Sequence, residues 1–355
     1  MTEPRTRSWM PPIPGPLQRL FDHFPLATYP PNDLPARSPR PSPLPTLYIF
    51  ASDEDAARGL PSFNPSCLKW QTLLRLSHLP HLAVPSTNHA SPTGSLPFLL
   101  PPTPALPSPP PRPIPASNIE RFILSQPTSP PPTDHFFTPS SSLPPSVVLR
   151  QQPYLSLLSG PIRAAWLTAL YLDESNTRLL QSLYIDPTSS SPLVRAATLS
   201  HLRAAAEREV LRILYPTTGA SGGWRLSINA ILEFGPGARK EPGGGGGVVN
   251  SEEIYREAER AWESLALLLG ESETGWFFGV DRPGVFDVGV FAYSYLVGVA
   301  SGEEEKGGRG LEWGDGGRLD RIVRGAHHGE LVRHRERIWD MCWGRRRDGE
   351  GMKER

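Results

Sequence analysis

The sequence predicts an α/β domain followed by an all-α domain, with proline- and glycine-rich segments before, between and within them. Three observations predict this. Signals for a strand, a helix, a strand and a proline-headed strand follow one another from Leu47 to Leu100. Apolar residues at helical spacings dominate from Tyr154 onward. The 43 prolines and 32 glycines among 355 residues gather in tracts that cannot form a core. About two-thirds of the chain is expected to fold, enough for two modest domains. The divisions read as a proline-rich extension over 1–45, an α/β domain over 46–126, a low-complexity linker over 127–150 and a helical domain over 151–345, with flexible insertions near 235–249 and 301–317.

In the extension, Leu17 to Phe24 (LQRLFDHF) puts Leu17, Leu20, Phe21 and Phe24 on one side of two helical turns, a stripe that docks on its own domain or on a partner. Leu47-Tyr48-Ile49-Phe50 reads as a strand. Asn64 then caps a helix that carries Pro65 in its first turn, where a missing N–H is harmless. Cys67, Leu68, Trp70, Leu73, Leu74 and Leu76 cover most of its circumference, which suits a helix buried against a sheet. Pro80 ends it. Leu82 to Pro85 is a short extended run, Ser91 to Ser95 is turn material, and Leu96-Pro97-Phe98-Leu99-Leu100 reads as a strand with proline at its entrance. Pro101 to Pro113 is an extended tract, after which Ile119, Phe122 and Ile123 stripe a closing helix. Pro127 to Pro145 reads as a linker or surface loop.

Beyond it, Ile162, Ala165, Trp166, Ala169, Leu170 and Leu172 mark one helix. Ser191-Pro192 opens a second, through Leu199, Leu202, Ala206, Val210 and Leu214. After a flexible Gly235–Gly247 insertion, Asn250 with Glu253 starts a helix to Leu269 in the manner of a capping box. Pro283 and Gly284 turn the chain into an almost wholly apolar helix with Asp287 in its first turn, where amides and the helix dipole stabilise a carboxylate. Asp287 is read as structural, since no second carboxylate or histidine stands beside it in sequence to share acid–base work. After the Ser301–Gly317 insertion, a single last helix is expected from Arg318 to Trp343.

Lysines and arginines number 36, as do aspartates and glutamates, so no global field draws the chain to nucleic acid or acidic membranes. Cys67 and Cys342 lie too far apart in sequence to suggest a disulfide framework, which fits a reducing compartment. No run of about twenty apolar residues is evident, and the nearest, Val285 to Ala300, is interrupted by Asp287 and reads as a core helix. The N-terminus lacks a secretory apolar region, and its prolines argue against an amphipathic presequence.

Cys67, near a helix N-terminus, is the candidate nucleophile; the alternative is a small buried apolar group. Ser62 and Ser66 have no base at a telling spacing. Gly243 to Gly247 is followed by Val248-Val249-Asn250 and not by the Lys-Ser/Thr of a phosphate loop. His327, His328, Glu330 and His334 do not form a zinc motif, so no metal or cofactor is expected. The last helix carries Trp339 and Trp343 with Arg333, Arg335, Arg337 and Arg345 to Arg347. It reads either as a surface facing a membrane or a partner, or as a solvated basic face with its tryptophans in the core. Glu330, Glu336 and Asp340 interrupt the basic patch, and no nucleic-acid partner is expected.

The order of elements and the Leu96-Pro97 step resemble a thioredoxin-like domain, which implies a cis bond at Pro97; an ordinary edge-strand proline is the alternative. A thioredoxin-like half followed by a helical half resembles the glutathione transferases. The Pro283-to-Asp287 entry is similar to their helical-domain capping box, with Gly284 where Ser or Thr is expected. Their acidic residue and serine that hold the glutathione γ-glutamyl end fall on Pro115 and Ala116, so the peptide-binding pair is missing. Cysteine-type transferases and glutaredoxins place a thiol near Cys67, which keeps open a glutathione-dependent transferase or thiol reductase.

Within that superfamily, LYIFASDEDAARGLPSFNPSCLKWQTLLRL (Leu47 to Leu76), NHASPTGSLPFLL (Asn88 to Leu100) and GWFFGVDRPGVFDVGVFAYSYL (Gly275 to Leu296) resemble the metaxins and their fungal counterparts. The resemblance implies a non-enzymatic peripheral subunit on the cytosolic face of the mitochondrial outer membrane, within the sorting and assembly machinery. Its implied partners are the membrane-embedded barrel subunit, a second metaxin-like subunit and β-barrel precursors. A thioredoxin-like domain offers sheet-edge or groove contacts to an extended peptide, and a strand-like precursor signal is such a peptide.

Overall fold

The computed structural model describes residues 42–102, 112–126, 136–215, 250–298 and 311–344. The Leu17–Phe24 stripe, the glycine run at 243–247, most of the 301–317 insertion and Arg345 to Arg347 lie outside the described residues.

The fold class is the expected one. A mixed sheet in the order β2-β1-β3-β4 is built from β1 (Thr46–Ile49), β2 (Leu82–Pro85), β3 (Phe98–Leu100) and β4 (Ile114–Pro115). β1 pairs parallel to β2 and antiparallel to β3, which pairs antiparallel to β4. A parallel pair needs a crossover. The short α1 (Asp53–Ala57) and then α2 (Pro65–Leu76) provide it. Asn64 caps α2 as its sequence requires: Oδ1 accepts from the N–H groups of Ser66 at 3.0 Å and Cys67 at 3.3 Å. Cys67, Leu68, Leu73, Leu74 and Leu76 are all buried, so the helix is enclosed on nearly every side. Asn88 Oδ1 accepts from Leu96 N–H at 2.7 Å, and the Leu96–Pro97 peptide that leads into β3 is cis. α3 (Ile119–Ser125) closes this half through buried Ile119 and Ile123.

The helical half opens with α4, which begins at Pro145, inside the stretch read as linker, and runs unbroken to Leu172. Proline at the first helical position costs no hydrogen bond, and Pro161 falls in a π-helical turn, Leu158–Ile162, that accommodates its missing N–H. Read as one helix, α4 is long and apolar enough by length and composition to cross a membrane, with 56% of its most apolar window buried. The sequence reading missed this because the linker assignment cut the apolar run. α5 (Thr177–Tyr184), α6 (Pro192–Leu214), α7 (Ser251–Gly270) and α8 (Val285–Val297) follow. Asn250 Oδ1 accepts from Glu253 N–H at 3.4 Å at the start of α7. Helix α8 serves both cores, since Val288 packs with the sheet residues while Phe286, Val290 and Phe291 pack with the helical ones.

A further expectation fails. The last helix is two, α9 (Arg318–Gly325) and α10 (Glu330–Cys342), separated by a turn with His327 at φ 30°, His328 at 56° and Gly329 at 78°. The buried rows explain it. Leu319 and Val323 on one side of the turn and Leu331 and Ile338 on the other are all buried. At 100° per residue, a straight helix would hold the two rows roughly 90° apart. The break lets both reach the core, and it lets His327 N–H donate to Glu263 Oε2 at 3.0 Å.

Candidate functional site

A cavity of about 360 Å³ lies between the two halves. The α/β half contributes Phe50 at the end of β1, Asn64 and Ser66 at the start of α2, Thr87 to His89, and Ser95 with Leu96 before the cis peptide. The helical half contributes Arg163, Trp166 and Tyr171 from α4, Tyr184 from α5, His201 from α6 and Tyr293 from α8. Phe50, Trp166, Tyr171, Tyr184 and Tyr293 give the walls aromatic faces, with hydroxyl, amide, imidazole and aliphatic groups between them. Tyr184 joins the halves: its ring packs edge-on to Phe50 at 5.2 Å and Phe63 at 5.1 Å, and its hydroxyl accepts from Asn64 Nδ2 at 3.2 Å.

Several of the polar groups here are spent on the fold. Asn64 has Oδ1 in the α2 cap and Nδ2 on Tyr184. Leu96 N–H, on a residue that lines the cavity, is taken by Asn88 Oδ1. Arg163 Nε donates to Glu209 Oε1 at 3.4 Å, and Glu209 Oε2 lies 2.5 Å from Arg212. Burial, with Tyr171 beside it, pushes the Tyr184 phenol well above its ordinary range, and burial also raises that of Tyr171. Both stay protonated near neutrality, so neither supplies a base.

Cys67 is fully buried and is not among the cavity-lining residues. Burial pushes its thiol up to about 12, against smaller opposing effects of hydrogen bonding from the Phe50 backbone and the Ser62 side chain. A nucleophilic role calls for a lowered thiol, and burial acts in the opposite direction here. Ser62 is also buried, its hydroxyl donating to Phe50 O at 2.5 Å and its N–H to Gln71 Oε1 at 2.8 Å. Ser66 does line the cavity. Pro115 and Ala116 lie in β4 and the turn after it, and neither lines the cavity.

Asp287 stands apart from the cavity, buried in the first turn of α8. Oδ1 accepts from Phe277 N–H at 3.0 Å and Oδ2 from Gly284 N–H at 2.8 Å. Gly284 has no side chain with which to return the bond, so only half of a reciprocal cap forms. His334 Nε2 completes the surroundings of the carboxylate at 3.1 Å. Among the described residues no group of three or more His, Cys, Asp or Glu side chains could hold a metal ion.

The two readings of the last helix separate. Trp339 and Trp343 stack 5.5 Å apart, Tyr295 stacks on Trp339 at 5.1 Å, and Phe291 lies 6.0 Å from Trp343, so the tryptophans extend the helical core. Arg337 donates to the carbonyls of Gly275 and Thr274 and lies 4.1 Å over Trp276. Arg335 donates to Ser294 O, and Arg333 pairs with Glu330.

Arg163, Tyr184 and His201 escaped the sequence reading as cavity residues. A signal existed for Arg163 alone: it is the one charge between Gln151 and Leu172. Tyr184 and His201 sit in ordinary amphipathic helices.

Residues 65–176 match the family model described as the glutathione S-transferase N-terminal domain, from the start of α2 to the turn before α5. No curated protein matches the chain. The domain match, which covers about a third of the chain, the cis-proline strand and the helical second half together fit a glutathione-transferase-like fold, with an N-terminal thioredoxin-like sheet domain and a C-terminal all-α domain.

Proposed function

We propose that this chain is a non-enzymatic subunit of the mitochondrial outer-membrane sorting and assembly machinery, held peripherally on the cytosolic face, where it assists recognition and insertion of β-barrel precursors. One observation carries the reading: the transferase-like cleft persists while the groups that would do thiol chemistry in it are buried or engaged, above all Cys67 with its thiol at about 12. The three metaxin-like blocks support the same reading, and its partners are the barrel subunit, a second metaxin-like subunit and the precursors themselves. An extended precursor strand would find main-chain partners at a sheet edge or in a groove.

The test is native electrophoresis of detergent-solubilised mitochondria. The chain should comigrate with a barrel subunit, and recovery only as a free soluble species would overturn the reading. The surviving cavity favours a second reading, a glutathione-dependent transferase or thiol reductase. Retention on immobilised glutathione, with turnover lost in Cys67→Ala, would decide for it.

A further inference from the structure

The register of the sheet fixes which main-chain groups its two edges offer. Leu82 N–H donates to Pro45 O and Ser86 N–H to Ile49 O, both at 2.9 Å, so Leu82, Val84 and Ser86 direct their main-chain groups at β1. Ala83 and Pro85 therefore face outward. On β1 the same alternation leaves Thr46 and Tyr48 to pair with Leu100 and Phe98 of β3, which in turn leaves Leu99 to pair with Ile114 of β4. Pro113 and Pro115 are then the outward residues at the β4 edge.

The two edges differ in chemistry. With proline at both outward positions the β4 edge has no N–H to give, which closes it to a further strand. The β2 edge is open in part: Ala83 offers an N–H and a carbonyl, and Pro85 a carbonyl. No strand lies beyond β2 in the sheet order, and among the described residues these groups have no hydrogen-bond partner.

An extended main chain is the complement of alternating N–H and C=O groups. Leu82, 41% exposed, and half-buried Val84 lie on one face of this edge, so apolar residues of an added strand would cover them. Helix α1 packs against β2 and exposes Asp53 and Glu54, which suits a basic residue at an end of that strand. A second copy of the chain fits less well, because β2 is four residues long and a stable interface takes roughly 20 residues a side.

We propose that the outer edge of β2, through the N–H and C=O of Ala83 and the C=O of Pro85, takes up an extended apolar peptide with basic ends by strand addition. This rests on the functional reading above, and it selects this sheet edge over the interdomain cavity as the place where a precursor strand pairs.

The test is fluorescence anisotropy of the full chain with the labelled peptide Lys-Val-Thr-Val-Thr-Val-Lys and with an analogue N-methylated at two adjacent central residues, which blocks both of its edges. The peptide should bind at least about tenfold more tightly than the analogue. Ala83→Pro removes the outward N–H and leaves the ladder to β1 in place, so it should weaken the peptide at least about tenfold too. Ala83→Gly, which keeps the N–H, should bind as the unaltered chain does. Residue-level hydrogen exchange needs no substitution: the Ala83 amide of the unaltered chain should become protected when the peptide is added. Absence of binding, equal binding of peptide and analogue, an equal loss in Ala83→Gly, or protection confined to the cavity-lining residues would overturn the proposal. So would light scattering that shows a dimer dispersed by the peptide, which would assign the edge to a second copy. The assay contains no barrel subunit, so peptide binding without comigration on native gels defeats the functional reading alone, and comigration without peptide binding defeats this one.

Discussion

His334 Nε2 lies 3.1 Å from Asp287 Oδ1 with both side chains buried, although 47 positions separate the two residues. The contact pins α10 to the first turn of α8. It also gives Asp287 a third donor beside Phe277 N–H and Gly284 N–H, which is how a carboxylate is retained inside an apolar layer. His334 Nδ1 is buried with no hydrogen-bond partner among the described residues, and the ring also lies edge-on to Trp276 at 5.7 Å and Phe277 at 5.3 Å.

Asp287→Asn should therefore lower stability by about 3 kcal/mol, because an amide offers one acceptor oxygen and sets its own N–H groups against a donor. The reverse change, Gly284→Ser, supplies the missing half of the cap. Its Cβ would meet Asp287 Oδ2 at 3.6 Å and Thr138 O at 3.7 Å, ordinary contacts. It should raise stability by a few tenths of a kcal/mol. Urea unfolding of the three proteins checks both directions.

Cys67 predicts an alkaline limit to stability. Its thiol is raised by burial from 9.0 to about 12, so above pH 9 the unfolded chain gives up a proton that the folded chain keeps. The contribution is complete below pH 9 and is lost as pH rises toward about 12. Over that window the unaltered protein should lose about 1.4 kcal/mol per pH unit more than Cys67→Ala. Urea midpoints taken across the window measure the difference, and equal slopes would contradict it.

Arg75 and Trp343 clasp the two halves. Arg75 donates to Cys342 O at 2.9 Å and to Gly59 O, its guanidinium lies 4.8 Å over the Trp343 ring, and Trp343 Nε1–H donates to Gly59 O at 3.0 Å. Arg75→Ala should cost about 2 kcal/mol and speed proteolysis at the end of α10. Arg75→Lys should recover less than half of that, since an ammonium cannot reproduce the planar fork. Thermal unfolding and limited proteolysis read the two effects separately.

The turn between α9 and α10 stores backbone strain. His328 is exposed with φ 56° and ψ 24°, a left-handed conformation in which a β-carbon crowds the backbone. His328→Gly should raise the unfolding midpoint, by up to about 1 kcal/mol in stability, the relief being partly offset by the greater freedom of glycine in the unfolded chain. His328→Val should lower it.

Much of the fold was legible because its signals are short-range. Asn64 before Pro65, Asn250 before Glu253, the Leu47–Phe50 run and the Leu96-Pro97 step each declare an element within a few residues, and the capping bonds of Asn64 and Asn250 formed where those signals lie. Other features were not. Periodicity gives no notice that α4 passes through Pro161 by a π-helical turn, or that the chain must break at His327 to aim two apolar rows at one core. Which carboxylate meets His334, and which apolar helix face is left in water, depend on what distant segments bury. Local conformation follows from neighbouring side chains and backbone sterics, whereas partners and exposure follow from long-range packing, so the caps and strands were determined by the sequence alone and the Asp287–His334 pair and the break at His327 by the tertiary structure.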